Sequence, residues 1–187
     1  MAAARPTWRK VAAPRSVRHR LRSRRFAARS RTRSDVRRGT RIGVDVGDVR
    51  IGVSTCDPSG ILATPVETVA AGPESVRDIL AIADDRQAIE IVVGLPRSLS
   101  GDMGPAARKV RAYAEELAAA SAPTPVRLVD ERMSTVTAQQ GLRQAGRKAK
   151  QQRSVVDQAA AVVILQSALD IERTSGNLPG ELIEVGS

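Results

Sequence analysis

A strict alternation of apolar and polar residues runs through two short stretches, one on each side of Gly47-Asp48. Such alternation is typical of β-strands that bury one face, and Gly47-Asp48 has the composition of a two-residue turn, so the pattern predicts a β-hairpin. A two-residue loop would set Asp45 opposite Arg50 on the polar face, among small residues. The other face would carry the apolar set, which is Ile42, Val44, Val46, Val49, Ile51 and Val53.

Beyond this hairpin, short apolar runs alternate with longer segments that have helical spacing. Three strands followed by alternating helices and strands indicate an α/β fold with a mixed central sheet flanked by helices. The predicted strands are Leu62–Val69, Ile89–Leu95 and Val126–Val129, and the predicted helices are Glu74–Arg86, Pro105–Ala120, Ser134–Gly146 and Val155–Arg173.

The first 38 residues are rich in Arg, Ala and Ser and lack a periodic apolar pattern, so we expect a disordered basic arm. Residues 1–41 contain 15 basic residues and one acidic residue, whereas residues 42–187 contain 15 basic and 19 acidic residues. The arm would tether the protein to RNA or DNA, be a solvated tail, or precede the true start of the protein; a transit peptide is a further alternative. The predicted organisation is the arm at 1–38, one domain at 39–175 and a C-terminal tail at 176–187.

Cysteine and histidine are nearly absent, since Cys56 and His19 are the single residues of each type. This excludes a structural disulfide within the chain, a Cys/His zinc site and a histidine-based catalytic triad. No apolar run reaches the roughly 18 residues that span a bilayer, and the arm lacks the apolar segment of a secretory signal. We therefore expect a soluble protein of a reducing compartment, whose chemistry depends on carboxylates, hydroxyls, amides and cations.

Two carboxylates occupy strand positions that favour a functional site. Asp45 lies inside a strand, where an ionised group needs a cation, and a cross-strand pair with Arg50 is the structural alternative. Glu131 lies at the carboxyl end of a predicted strand, where open α/β sheets place their ligands, while Asp130 before it would face the other side of the sheet. A solvated pair with Arg132 is the alternative for Glu131.

A third carboxylate, Asp157, begins the last predicted helix. Ser154-Val155-Val156-Asp157 fits a capping box, so Asp157 would either satisfy backbone donors or face a site beside the sheet. Together the three carboxylates offer hard oxygen donors that suit one or two Mg²⁺ or Mn²⁺ ions, which activate a water for attack on a phosphodiester. Four cations would then hold flanking phosphates or simply be solvated, namely Arg97, Arg132, Lys148 and Lys150.

Four blocks of the sequence resemble the bacterial YqgF/RuvX family, in the order in which that family has them and over about residues 40–175. The blocks are Asp45–Val53, Gly94–Pro96, Asp130–Thr135 and Val156–Ala161. The resemblance implies a ribonuclease H-like fold, a cytoplasmic protein, and a nuclease that matures the 5′ end of pre-16S ribosomal RNA, with Holliday-junction resolution as the alternative. It also implies that Asp45, Glu131 and Asp157 are the acidic catalytic set. We add Arg50 and Thr135, which lie in these blocks, to the predicted substrate contacts.

Two other classes of function remain to be weighed. Actin-like ATPases and sugar kinases share a similar hairpin but need a second large subdomain, and the P-loop-like stretch 141–148 has Arg147 and Lys148 where Lys and Ser or Thr are required. A non-catalytic RNA-binding assembly factor would bind through the arm, with the acids purely structural. As partners we expect pre-16S ribosomal RNA or branched DNA and no membrane, and the sequence leaves a homodimer open.

Overall fold

The computed structural model describes residues 37–96, 103–131 and 153–185. Every strand and helix predicted within these ranges is present, with bounds within two residues of the predicted ones; the predicted helix 134–146 lies outside them. A short strand in the segment assigned to the tail, β6, was not predicted. The strands are β1 (Arg41–Val46), β2 (Arg50–Cys56), β3 (Ala63–Ala70), β4 (Glu90–Leu95), β5 (Val126–Asp130) and β6 (Glu181–Leu182), and the helices are α1 (Ser75–Asp85), α2 (Pro105–Ser121) and α3 (Arg153–Ser175).

The strands form one six-stranded mixed sheet with the order β3-β2-β1-β4-β5-β6. Strands β1, β2 and β3 pair antiparallel, β1, β4 and β5 pair parallel, and β6 pairs antiparallel with β5. A three-strand meander joined through β1 to parallel strands, with helices on both faces, is the topology of the ribonuclease H-like fold. The expected α/β fold class is therefore confirmed.

The β1–β2 hairpin has a different register from the predicted one. Asp45 pairs with Gly52, so the predicted placement opposite Arg50 is wrong. The turn is centred one residue later than predicted, on Asp48 and Val49, because Val46 pairs with Ile51 and the Gly47 amide donates a 3.0 Å hydrogen bond to the Arg50 carbonyl. A shift of two residues keeps every side chain on its face, so the small polar face around Asp45 remains. Val49, however, leaves the apolar face and is 73% exposed.

The two faces of the sheet have separate cores. Helices α1 and α2 cover the face that carries Ile42, Val44, Ile51 and Val53, and their apolar residues join that cluster. Helix α3 covers the other face, where small residues let it pack closely. That second core consists of Cys56, Ala63, Val92, Val129, Ile164, Leu165, Ala168 and Leu169.

Membrane insertion by a helix was not expected from the sequence, and within the described ranges no helix combines the length and apolar character needed to cross a bilayer.

Candidate active site

Asp45 occupies the face of β1 that α3 covers, near the carboxyl end of the strand. Its cross-strand neighbour is Gly52, and its side chain is half-buried. In residues 37–96, 103–131 and 153–185, no Arg or Lys forms an ion pair with Asp45. The structural alternative, a pair with Arg50, is therefore wrong, because the observed register separates the two residues.

Helix α3 brings Asp157 to the same face. A β-carbon added at Gly52 would collide with the carbonyl oxygen of Asp157, so the missing side chain at Gly52 is what lets the helix backbone lie against β2. The helix begins at Arg153, and its first turn contains no acidic residue. The capping box with Ser154 as N-cap is therefore wrong, because Asp157 lies too far into the helix to satisfy the first backbone donors.

Glu131 follows β5 directly, at the carboxyl end predicted for it. Its side chain lies over β4, where a β-carbon added at Gly94 would come within 2.8 Å of the Glu131 Oε1 atom and would also collide with Ile164 of α3. Gly94 follows Val93, the parallel partner of Val44, so it lies beside Asp45 in the sheet. Two glycines therefore form the floor of the site, since Gly52 lies beneath Asp157 and Gly94 lies beneath Glu131.

The electrostatics show that these carboxylates affect one another. Burial raises the pKa of Asp45 to about 6, with the charge of Asp157 as a second cause. Burial likewise raises the pKa of Glu131 to about 7, followed by the charges of Asp45 and then Asp130. Burial and repulsion both disfavour the ionised forms, as expected of like charges brought close together in a partly buried site. Perturbed acids of this kind are typical of functional sites.

Residues 39–171 match the model of a family described as RuvX, Holliday junction resolvase. The chain belongs to the RuvX family. Its members are nucleases, hydrolases that act on phosphodiester bonds, and this chain is one of them. The resemblance of the four sequence blocks is thereby confirmed.

Relatives with high identity bear one name, "Putative pre-16S rRNA nuclease". The protein of Streptomyces avermitilis is 62% identical over 152 residues, covering 80% of this chain and 97% of its own. That of a Nocardioides species is 60% identical over 154 residues, covering 80% and 99%. A Mycobacterium protein is 53% identical over 150 residues, covering 79% and 89%.

Among solved structures, the RuvC of T. thermophilus in complex with a Holliday junction substrate resembles this RuvX chain. The TM-score is 0.49 at 17% sequence identity, and the match covers 75% of this chain and 99% of that chain. This likeness is too weak to carry information about substrate or mechanism.

The donor chemistry of the site fits a hard divalent cation, since Asp45, Glu131 and Asp157 all offer carboxylate oxygens and the ionised forms of Asp45 and Glu131 are disfavoured by burial. Within the described ranges, no three Asp, Glu, His or Cys side chains are close enough together to form a complete ligand cluster. Asp45 is the neighbour that the other two acids share, because the charge of Asp157 raises the pKa of Asp45 and the charge of Asp45 raises the pKa of Glu131. The three acids are therefore of the right chemical type and lie on the same side of the sheet, but they do not form a closed set of metal ligands.

The predicted substrate contacts are only partly described. Arg50 begins β2 on the same face as Gly52, two residues nearer the turn, and is exposed at the rim of the site. The other candidates lie outside the described residues; they are Arg97, Arg132, Thr135, Lys148 and Lys150.

Sequence reasoning missed a second charged cluster, at the opposite ends of the same strands. Glu90 is fully buried and lies 2.9 Å from Arg127 Nε and 2.8 Å from Arg37 Nη2. Glu172 of α3 lies 3.0 Å from Arg37 Nε and 3.1 Å from Arg41 Nη2. Three guanidinium groups therefore enclose two carboxylates. The available signal was a charged residue at an inward position of two apolar strands, Glu90 in β4 and Arg127 in β5.

The hydrogen bonds and opposite charges of this second cluster stabilise the ionised forms of its side chains. Burial alone would lower the pKa of Arg37, but hydrogen bonds to Glu172 and Glu90 outweigh it and raise that pKa. Burial alone would raise the pKa of Glu172, but hydrogen bonds from Arg37 and the charge of Arg41 hold it below its usual range. Arg37 belongs by sequence to the predicted arm, and here it closes the cluster.

Proposed function

We propose that this RuvX-family nuclease depends on Mg²⁺ or Mn²⁺ held by Asp45, Glu131 and Asp157, and that it processes the 5′ end of pre-16S ribosomal RNA. The observation that carries the proposal is the gathering of the three carboxylates on one sheet face above Gly52 and Gly94, where the pKa values of Asp45 and Glu131 rise toward neutrality. Such a site favours binding of a divalent cation, because the positive charge of the cation offsets the repulsion between the carboxylates.

The residues divide the work by their positions. Asp45 is fixed by the sheet and is the common neighbour of the other two acids. Asp157 approaches from the helix, and Glu131 from the end of β5. Asp45, Glu131 and Asp157 would hold one or two divalent cations, which would supply Lewis-acid chemistry for activation of a water and for stabilisation of the leaving oxygen. The two glycines leave room above the sheet for the substrate backbone.

Among the residues that the structure describes, Arg50 is the proposed phosphate contact. It lies on the same sheet face as Gly52, at the exposed rim of the site. A guanidinium group there would hold a phosphate next to the scissile one and so orient the chain for in-line attack. Arg97, Arg132, Thr135, Lys148 and Lys150 remain predicted substrate contacts.

RNA is the favoured substrate because relatives that are 60% and 62% identical to this chain bear the name "Putative pre-16S rRNA nuclease". The description of the family model favours a second candidate, cleavage of four-way DNA junctions. A non-catalytic assembly factor fits less well, because Asp45 is buried beside another carboxylate and its pKa is raised, whereas the structural acids Glu90 and Glu172 lie beside guanidinium groups.

The test is cleavage of a pre-16S leader RNA and of a four-way DNA junction by the wild-type protein and by Asp45→Asn, with Mg²⁺, Mn²⁺ or chelator. We expect the substitution and the chelator each to lower the rate at least about 100-fold. Asp48→Asn is the matched control, since Asp48 lies three residues away in the turn, is exposed and pairs with Lys109. Unchanged cleavage by Asp45→Asn would contradict the mechanism, and the preferred substrate decides between the two nuclease roles.

A further inference from the structure

Gln158, the residue after Asp157, connects helix α3 to the edge strand of the sheet. Its side-chain Nε2 donates a hydrogen bond of 3.2 Å to Thr68 Oγ1 on β3. Thr68 pairs with Gly52, and Gly52 pairs with Asp45, so these three residues form one row across β3, β2 and β1. The contact therefore fixes the helix to the same row of the sheet that carries the central carboxylate.

This hydrogen bond is well placed to set the position of Asp157. At Gly52 the helix backbone rests directly on the strand, with no intervening side chain to determine its rotation. Farther along α3, other polar contacts secure the helix to β2 and to the start of β3. Ser54 Oγ donates to the Ala161 carbonyl at 2.8 Å, and Gln166 accepts from the Ala63 amide at 2.9 Å.

We propose that Gln158 is a positioning residue, which acts through Thr68 Oγ1 to hold the Asp157 carboxylate at the height and rotation over Asp45 that metal binding requires. The inference rests on the proposed function of the three acids. Its reasoning is geometric: the Gln158–Thr68 hydrogen bond lies next to Asp157 in the chain and on the Asp45 row of the sheet. A small rotation of the helix there moves Asp157 relative to an acid that cannot follow, because Asp45 is fixed in the centre of the sheet.

Two other roles for Gln158 make different predictions. If its amide bound the substrate directly, the Thr68 hydroxyl would be irrelevant to activity. If it only stabilised the fold, its loss would resemble the loss of Gln166, which makes the same kind of amide contact with the β3 region. Gln166 lies eight residues further along α3, about 12 Å away at 1.5 Å per residue, and so provides a matched control.

The experiment compares Gln158→Ala, Thr68→Val, Thr68→Ser, Gln166→Ala and the double variant of Gln158→Ala with Thr68→Val. For each full-length protein we would measure kcat and KM on the leader RNA, the affinity for Mn²⁺ by electron paramagnetic resonance without substrate, and the thermal midpoint. Asp45→Asn is included in every series, so that failure of the metal site itself is visible.

We expect Gln158→Ala and Thr68→Val each to lower kcat about 10- to 100-fold and to weaken Mn²⁺ binding, with KM for RNA changed less than about twofold. The double variant should be no worse than either single one, because both remove the same hydrogen bond. Thr68→Ser should recover most of the activity. Gln166→Ala should lower the thermal midpoint while leaving kcat and Mn²⁺ affinity unchanged.

Loss of activity in Gln158→Ala with a normal Thr68→Val would overturn the positioning role in favour of a substrate contact. Equal effects of Gln158→Ala and Gln166→Ala on every readout would reduce it to stability alone. If Asp45→Asn is inactive and fails to bind Mn²⁺ while the Gln158 and Thr68 variants behave as wild type, only this inference fails. A wild-type protein that neither cleaves nor binds Mn²⁺ would overturn the proposed function as well.

Discussion

The sheet face beneath α3 carries charged side chains at both ends of the strands, and the two groups differ in the charges that surround them. At the amino ends of β1 and β4, Arg41 and Glu90 are buried, and every carboxylate oxygen there lies near a guanidinium group. At the carboxyl ends, Asp45 meets other acids, and burial with mutual repulsion raises its pKa to about 6. One end pairs its carboxylates with guanidinium groups, whereas at the other end Asp45 lies beside further carboxylates.

The contrast distinguishes charges that stabilise the fold from charges of the proposed site, although both groups lie in the layer between the sheet and α3. A buried carboxylate with guanidinium partners keeps its proton affinity low and tolerates its burial. A carboxylate among carboxylates costs free energy until a cation binds, so its presence in the fold favours a role in ligand binding over a role in stability. Substitutions at the two ends should therefore change stability in opposite directions.

The largest effect is expected at the balanced end. Glu90→Gln removes the charge that Arg37 and Arg127 enclose, takes the carboxylate partner from the largely buried Arg127 and leaves the three guanidinium groups of the cluster with Glu172 alone, so the free energy of unfolding should fall by about 3–5 kcal/mol. Chemical denaturation followed by circular dichroism measures this. Glu184→Gln, the same change at an exposed residue, is the control and should alter stability by less than about 0.5 kcal/mol. A similar small loss at Glu90 would mean that the cluster does not support the fold.

A smaller effect of opposite sign is expected at the site. Because the pKa of Asp45 is raised in the fold to about 6, stability falls as the pH rises from the unfolded pKa to about 6, and the full cost of its ionisation is present above that value. Asp45→Asn should therefore raise the free energy of unfolding by about 1–3 kcal/mol at pH 8 in chelator. The gain should disappear below the unfolded pKa, near pH 4. Unfolding curves at both pH values provide the measurement.

Asp57 offers a control, because the same Asp-to-Asn substitution there should change the free energy of unfolding in the opposite direction. Its carboxylate accepts backbone hydrogen bonds from Ser59, Ile61 and Leu62, and these lower its pKa. Asp57→Asn should therefore destabilise the protein at pH 8, where Asp45→Asn stabilises it. Added Mg²⁺ should narrow the difference between wild type and Asp45→Asn. A destabilised Asp45→Asn protein in chelator would contradict the account of the acidic end.

The smallest effect concerns the outermost member of the balanced cluster. Arg37→Ala leaves two guanidinium groups facing two carboxylates, and Arg37 is already partly exposed, so the free energy of unfolding should fall by only about 1 kcal/mol. The neighbouring Arg38 is exposed, and Arg38→Ala serves as the matched control in the same denaturation assay. A loss as large as that of Glu90→Gln would show that Arg41 and Arg127 cannot balance the cluster alone.

Local sequence pattern predicted much of this architecture and part of the site. Alternation placed Asp45 on the small polar face, and the end of an apolar run placed Glu131 at the carboxyl edge of the sheet. The pattern could not predict the register of the hairpin, because pairings that differ by two residues bury the same faces. The hydrogen bond from Gly47 to the Arg50 carbonyl decides between them, and a turn geometry of that kind leaves no periodic signature.

The balanced cluster was beyond local pattern for a different reason. Glu90, Arg127 and Glu172 come from three separate elements, and although Glu90 and Arg127 occupy inward positions of apolar strands, no local pattern pairs them with each other or with Glu172. Their partnership depends on the parallel pairing of β1, β4 and β5 and on the length of α3. The close approach of α3 to Gly52 is similarly a property of tertiary packing, because the pairing of Gly52 with Asp45 depends on the observed register of the hairpin.

The meeting of Asp157 with Asp45 over Gly52 joins the first strand described to the last helix. A ribosome releases the amino-terminal strand long before that helix, and domains complete their packing only when all their elements have emerged. The carboxylates of the proposed site therefore remain apart throughout most of synthesis. A nuclease built in this way is inactive while it is being synthesised. It gains its nuclease activity only when α3, which completes the core, folds onto the hairpin.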